Sequence, residues 1–134
     1  MSNGDLTLEE LYTEATAMCR KHWDVDFTGT IELVNRKWTR YNGMFCVRTS
    51  EERFFIRLSC KTNAERTRSE VLGTLLHELV HWRLYTTGQP FRDVAEPFIA
   101  ECLRVGAPIS GASAAQRAYR NYLARRKFHE EASA

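Results

Sequence analysis

The chain has 134 residues, 43% of them hydrophobic and 27% charged, and a net charge of +2, which is the profile of a single globular domain with one core. No apolar run approaches the roughly 20 residues of a membrane span, and Met1–Asp5 has neither the basic start nor the oily stretch of a signal peptide, so a cytoplasmic protein without a membrane partner is expected. Cys19, Cys46, Cys60 and Cys102 are scattered without a C-x-x-C pair, which predicts buried thiols in a reducing compartment and not a zinc ribbon or a disulfide frame.

In chain order, Thr7 and Glu10 form a capping box flanked by the Leu6 and Leu11 staple, and Leu8, Leu11, Tyr12, Ala15 and Cys19 continue an apolar stripe, so a first helix is predicted from about Thr7 to His22. Three short segments rich in β-branched and aromatic residues follow, Gly29–Asn35, Gly43–Arg48 and Phe54–Ser59, separated by turn residues. The simple expectation is a three-stranded antiparallel sheet. Phe54, Ile56 and Leu58 would point one way and Phe55, Arg57 and Ser59 the other. Its polar face would carry arginines near Trp38 and Tyr41, a combination that suits nucleic acid as well as solvent.

Thr67 and Glu70 form a second box that opens a helix running to Thr87 and stopping at Gly88. Asp93 and Glu96 form a third, for a helix that ends at Gly106, and Ser113 with Gln116 begins a last helix over 114–130. About four helices are therefore expected, in an α+β fold.

The second helix carries the chemistry. His77-Glu78-Leu79-Val80-His81 has the form H-E-x-x-H. Four residues make slightly more than one turn, so the two imidazoles project from one face about 6 Å apart at Cβ and can grip one ion. Glu78 then leans over the same ion with room for a water between. That pattern predicts a zinc hydrolase: His77 and His81 as ligands, Zn2+ as cofactor, and Glu78 as the base that deprotonates a metal-bound water. A solvated pair of histidines is the bland alternative, but it leaves a glutamate in an otherwise oily helix at a cost of several kcal/mol.

The order of parts, a leading helix, a small sheet whose last strand reads Ile56-Arg57-Leu58-Ser59, a spacer, the segment Thr74–Trp82 and a following helix with Phe98 and Gly106, resembles the SprT-like domain, a zincin-like metalloprotease fold related to Spartan-type proteases. The likeness covers about Leu6 to Gly106. It implies one metalloprotease domain over residues 1–112 with H-E-x-x-H on its central helix, cleavage of peptide bonds in protein or peptide substrates, and action on DNA-associated proteins. Members usually take a third ligand from a histidine at the start of the next helix, and many carry a cysteine-paired ribbon. Neither is present here.

For the third ligand two readings stand. If the helix after Gly88 and Pro90 begins at Asp93 and runs back antiparallel, eight residues return it about 12 Å and set Glu101 opposite His81. If the loop itself doubles back, Asp93 takes that place. Glu96 is a further possibility. The edge of the third strand, Phe54–Ser59, is the expected platform for an extended substrate.

Charge is uneven: residues 1–30 carry −4, 31–61 +4, 62–112 −1 and 113–134 +3. Arg117, Arg120, Arg125, Arg126 and Lys127 put five positive charges in the last segment, read as a basic helix packed on or extending from the domain, with Tyr119, Tyr122, Leu123 and Phe128 as its docking surface. This makes DNA or RNA a candidate partner. Two alternatives to the peptidase follow: a nucleic-acid-binding module with a structural or vestigial zinc, and a regulatory protease that cleaves a repressor.

Overall fold

A computed structural model describes residues 2–133. The fold is α+β: α1 (Leu8–Trp23), β1 (Ile31–Val34), β2 (Met44–Arg48), a 3-10 turn (Thr49–Glu51), β3 (Arg53–Ser59), α2 (Cys60–Ala64), α3 (Arg68–Thr86), α4 (Glu96–Val105) and α5 (Ser113–Ser133). Both early capping boxes form, with Thr7 and Glu10 closing the start of α1 and Thr67 and Glu70 that of α3. Each satisfies two otherwise orphaned backbone N–H groups. Gly88 at φ 72° and Gly106 at φ 80° follow α3 and α4 in the left-handed conformation that glycine adopts without steric cost.

The sheet differs from the antiparallel expectation. Its order is β1-β3-β2, with β2 antiparallel and β1 parallel to β3. The reason lies in residues 35–43. Where β1 ends, this connection is pinned beside the start of α2: the Ser59 hydroxyl donates to the Arg36 carbonyl, the Trp38 N–H donates to Thr62 Oγ1 at 2.8 Å, and Lys37 pairs with Glu65. The chain is thus carried past the C-terminal end of β3 before β2 runs back, and β3 fills the middle. Phe54–Ser59 is therefore paired on both sides and has no free edge for a substrate. β2 is the edge strand nearest α3.

Two cores share α3. One joins α1, the sheet and one side of α3 through Leu11, Ala15, Ile56, Leu58, Leu75 and Leu79. The other joins the opposite side of α3 to α4 through Leu76, Val80, Phe98 and Cys102. A helix packed on both flanks is a rigid place for a site. No described helix is long and apolar enough to cross a membrane. All four cysteines are free thiols, Cys19 and Cys102 fully buried and Cys46 and Cys60 partly so.

On the outer face of the sheet Phe55 is only 1% exposed, because Arg48, Arg53 and Arg57 lay their guanidinium groups over its ring at 5.7, 4.7 and 5.1 Å. Glu32 holds Arg53 and Arg57 with bonds of 2.8 and 2.9 Å. These arginines act first as the cover of their own sheet.

The third capping box does not form. α4 begins three residues after Asp93, its N-cap is Ala95, and no side chain caps it. α5 also departs from expectation. Tyr119 and Tyr122 are half-buried, but Leu123 is 40% and Phe128 68% exposed. The 21 residues of α5 span about 31 Å against about 15 Å for the 10 of α4 on which it packs, so its second half has little to dock against.

Candidate metal centre

His77 and His81 stand one turn apart on α3, and the loop between α3 and α4 doubles back over them. Asp93 Oδ1 lies 3.1 Å from His77 Nε2 and 3.0 Å from His81 Nε2. The three donor atoms lie within 4.8 Å of one another. Each ring is also held from behind: His77 Nδ1 donates to the Pro108 carbonyl at 2.6 Å, and His81 Nδ1 donates to the Phe91 carbonyl. The His81 ring is stacked between Phe45, at 6.0 Å and 7°, and Phe98, at 4.0 Å and 17°. Neither imidazole is free to turn.

This arrangement passes a test of fit for a cation. With both Nδ1–H groups given to carbonyls, a neutral ring presents a lone pair at Nε2. Two lone pairs then converge on a carboxylate oxygen, which has no proton to offer. Three acceptors meeting at one point are satisfied by protons on the rings or by a metal ion, and backbone carbonyls behind ligating histidines are the usual second layer of a metal site.

Without metal the protons take that role. Burial favours the neutral His77 ring, but its hydrogen bond to Asp93, aided by Glu78 and the Pro108 carbonyl, overrides this and holds its pKa up to about 11. Hydrogen bonds from the same two histidines hold Asp93 well below the usual carboxylate range. Metal must displace the proton that His77 holds at Nε2, so binding at pH 7.5 is expected to release at least one proton per ion. Calorimetry in buffers of different ionisation heat reads that number directly, and buffer-independent heats would contradict it.

Glu78 lies beside the cluster, 5% exposed, and no described residue donates a hydrogen bond to its carboxylate. Burial raises its pKa, against the pull of His77 and His81. The turn at Tyr41–Gly43 presses against it: a Cβ at Gly43 would stand 2.7 Å from Thr74 Cγ2 and 3.1 Å from Glu78 Oε2. Only glycine lets the backbone come so near. Together these residues line a groove of about 1110 Å³ that runs along α3 between that turn and the segment after α4.

Of the two main third-ligand readings, the structure brings Asp93 to the histidines and leaves Glu101 elsewhere. The α4 face towards the cluster is Phe98 and Cys102. Glu101, on the flank, accepts from Trp23 Nε1 at 2.5 Å and from Arg104 at 2.7 and 2.8 Å, and Arg104 first and Trp23 second keep its pKa low. Glu96 pairs with Arg125 on α5 at 2.8 Å. Sequence reading gave no sign of the carbonyls of Phe91 and Pro108 or of the stacking by Phe45, because none of these has a fixed spacing from the motif.

In the basic tail Arg125 is engaged by Glu96, and Arg126 lies 3.4 Å from Glu130. Arg117, Arg120 and Lys127 are exposed, with no carboxylate within 4.0 Å among the described residues. No protein-family model and no curated protein sequence matches the chain.

Proposed function

We propose that this chain is a zinc-dependent metallopeptidase of the SprT-like, zincin kind, with His77, His81 and Asp93 as ligands and Glu78 as general base. The observation that carries the reading is the convergence of three acceptor atoms, each histidine locked from behind by a carbonyl, beside a buried carboxylate that no described residue hydrogen-bonds. A purely structural site has no use for Glu78, whose carboxylate lines the groove beside the two histidines. Two imidazoles and one carboxylate are a donor set that zinc accepts with a position left open for water or substrate.

His77, His81 and Asp93 would hold a zinc ion, which would supply Lewis acidity and activate a water for attack. Glu78, with its pKa raised by burial, takes a proton from the attacking water and passes it to the leaving amine. The ring-locking contacts of Phe45, Phe98 and the two carbonyls hold the ligands in place without rearrangement. The unpaired side of β2 offers backbone groups to an extended peptide, in place of the third strand expected from sequence. The four free cysteines support a reducing, cytoplasmic setting.

Zinc-loaded protein is expected to hold about one equivalent of metal and to cleave an unfolded protein substrate, to stop when the metal is chelated, and to recover when zinc is returned. Cleavage that persists in metal-free protein would reject the mechanism.

A second reading, contact with DNA or RNA along α5, is favoured by the solvent-facing Arg117, Arg120 and Lys127. Such contacts release counterions, so binding should weaken steeply with salt. Changing these three residues to alanine should lower the slope of log K against log salt by about two to three. No salt-sensitive binding by the full chain to single- or double-stranded nucleic acid would make α5 a surface helix only.

A further inference from the structure

Arg66 lines the same groove as the metal cluster, and its charge is not answered within the fold. Its backbone is fixed on both sides: the N–H donates to the Asn63 carbonyl at 3.0 Å, and the carbonyl accepts from Asn3 and Gly4 at 3.2 and 2.9 Å. One end of the guanidinium is fixed too. Nη2 donates to the Glu70 carbonyl at 3.2 Å and to Thr74 Oγ1 at 2.9 Å. Both acceptors are neutral. Nη1 is buried without a partner, and no described carboxylate comes within 4.0 Å of the group. The neighbouring acids are engaged elsewhere, Glu65 with Lys37 and Glu70 with the Thr67 N–H. Burial pushes the Arg66 pKa below the usual arginine value, with Glu70 opposing. A half-buried cation held in place without an anion costs the free protein stability and calls for a physical account.

Its position supplies one. Thr74 precedes Glu78 by about one turn of α3, roughly 6 Å along the axis, so Arg66 meets the groove two or three residues of extended peptide from the metal cluster, at about 3.4 Å per residue. The turn at Tyr41–Gly43 presses on the same stretch, since a Cβ at Gly43 would stand 2.7 Å from Thr74 Cγ2. That turn brings a second cation. Arg40 is exposed, lines the groove, and likewise has no described carboxylate within 4.0 Å. Arginines outside the groove are met by acids, as Arg53 and Arg57 are by Glu32 and Arg68 is by Glu14. Two unanswered guanidinium groups along one stretch of a groove favour an anionic occupant, and their planar forks match a carboxylate.

We propose that Arg66, together with Arg40, forms an anion subsite that takes a carboxylate of the substrate, from an acidic side chain or from the peptide's C-terminus, two or three residues from the metal. This rests on the metallopeptidase reading. Arg66 selects and positions the substrate and takes no part in the chemistry.

The monohydroxamates of adipic and suberic acid carry a metal-binding head at one end and a carboxylate at the other, and their carboxamide counterparts lack the charge. Titrated calorimetrically into zinc-loaded wild type, the better of the two acids is expected to bind about tenfold more tightly than its carboxamide. Arg66→Gln should bring the pair within about twofold, with zinc content and affinity for acetohydroxamate, which has the head alone, unchanged. Arg40→Ala alters only an exposed turn and should cut the ratio to about threefold, a reading that stands even where Arg66→Gln does not fold. Two peptides titrated into zinc-loaded Glu78→Gln protein separate the sources: an amidated one with a single internal glutamate, and an acid-free one with a free C-terminus. Binding that depends on Arg66 assigns the subsite to whichever peptide shows it. Equal binding of acid and carboxamide to wild type, or a ratio unaltered in both variants, overturns the subsite and leaves the metal centre standing. Displacement of the acid probe by a single-stranded oligonucleotide that Arg66→Gln no longer binds overturns it too, giving the arginines to phosphate. Failure of zinc-loaded protein to bind acetohydroxamate overturns the metal-centre reading and the subsite with it.

Discussion

Glu78→Gln is expected to keep its zinc and to lose cleavage by about 10²- to 10⁴-fold, the usual contribution of a positioned general base. The amide has the same shape and reaches the same place against Gly43, but it cannot accept a proton. Because Glu78 ligates nothing, metal content should be that of wild type. A second effect has the opposite sign for stability. A carboxyl whose folded pKa is raised binds protons more tightly in the folded than in the unfolded state, so it costs increasing stability as pH climbs from the unfolded value towards the folded one. Above that window the full penalty is present. Glu78→Gln removes it, so the metal-free variant should equal wild type in stability at low pH and gain on it as pH rises. Thermal melts at pH 4 and pH 7 check this. Cleavage within a few-fold of wild type would remove Glu78 from the mechanism.

How far the sequence reached depends on whether a feature is local. The first two capping boxes needed only residues three apart, and both form where the sequence places them. The one-turn spacing of His77 and His81 is likewise a property of a single helix, and it places both rings in one cluster. Strand order is not local. Whether β3 lies at an edge or in the middle depends on Ser59 and Thr62 catching the backbone of Arg36 and Trp38, contacts more than twenty residues apart that no periodicity encodes. Short α2 went unforeseen because Cys60–Ala64 is too brief to show a period. Phe55 alternates outward as the strand pattern requires, yet it is buried, because arginines on two strands fold their stems over it. Asp93 has two readings in the sequence, a helix cap and a rival third ligand, and the cap does not form. Asp93 and Glu96 have capping-box spacing, but a carboxylate near two histidines gains more from them than from a helix terminus it would have to turn away to cap.

The same competition gives the last prediction, which compares Asp93→Ala with Glu101→Ala. Loss of a residue that only orients a ligand typically costs about 10–100-fold in metal affinity, and Asp93→Ala, which removes a direct donor, should cost more than that. Glu101→Ala should leave zinc affinity within a few-fold of wild type and instead lower stability by about 1–3 kcal/mol, because it leaves the half-buried Trp23 indole without its charged acceptor and separates Arg104 from its partner. The metal-free proteins offer an independent check. His77 has a folded pKa of about 11 against 6.5 when free, so its contribution is fully present below pH 6.5 and is lost as pH rises towards 11. Metal-free wild type should therefore lose stability across that window. In Asp93→Ala the largest influence raising the His77 pKa is gone, and the loss should shrink and move to lower pH. In Glu101→Ala the profile should keep its shape at a lower overall level. If zinc affinity falls in Glu101→Ala and holds in Asp93→Ala, the ligand assignment is reversed, and the loop from Gly88 to Ala95 must take another path when metal is bound.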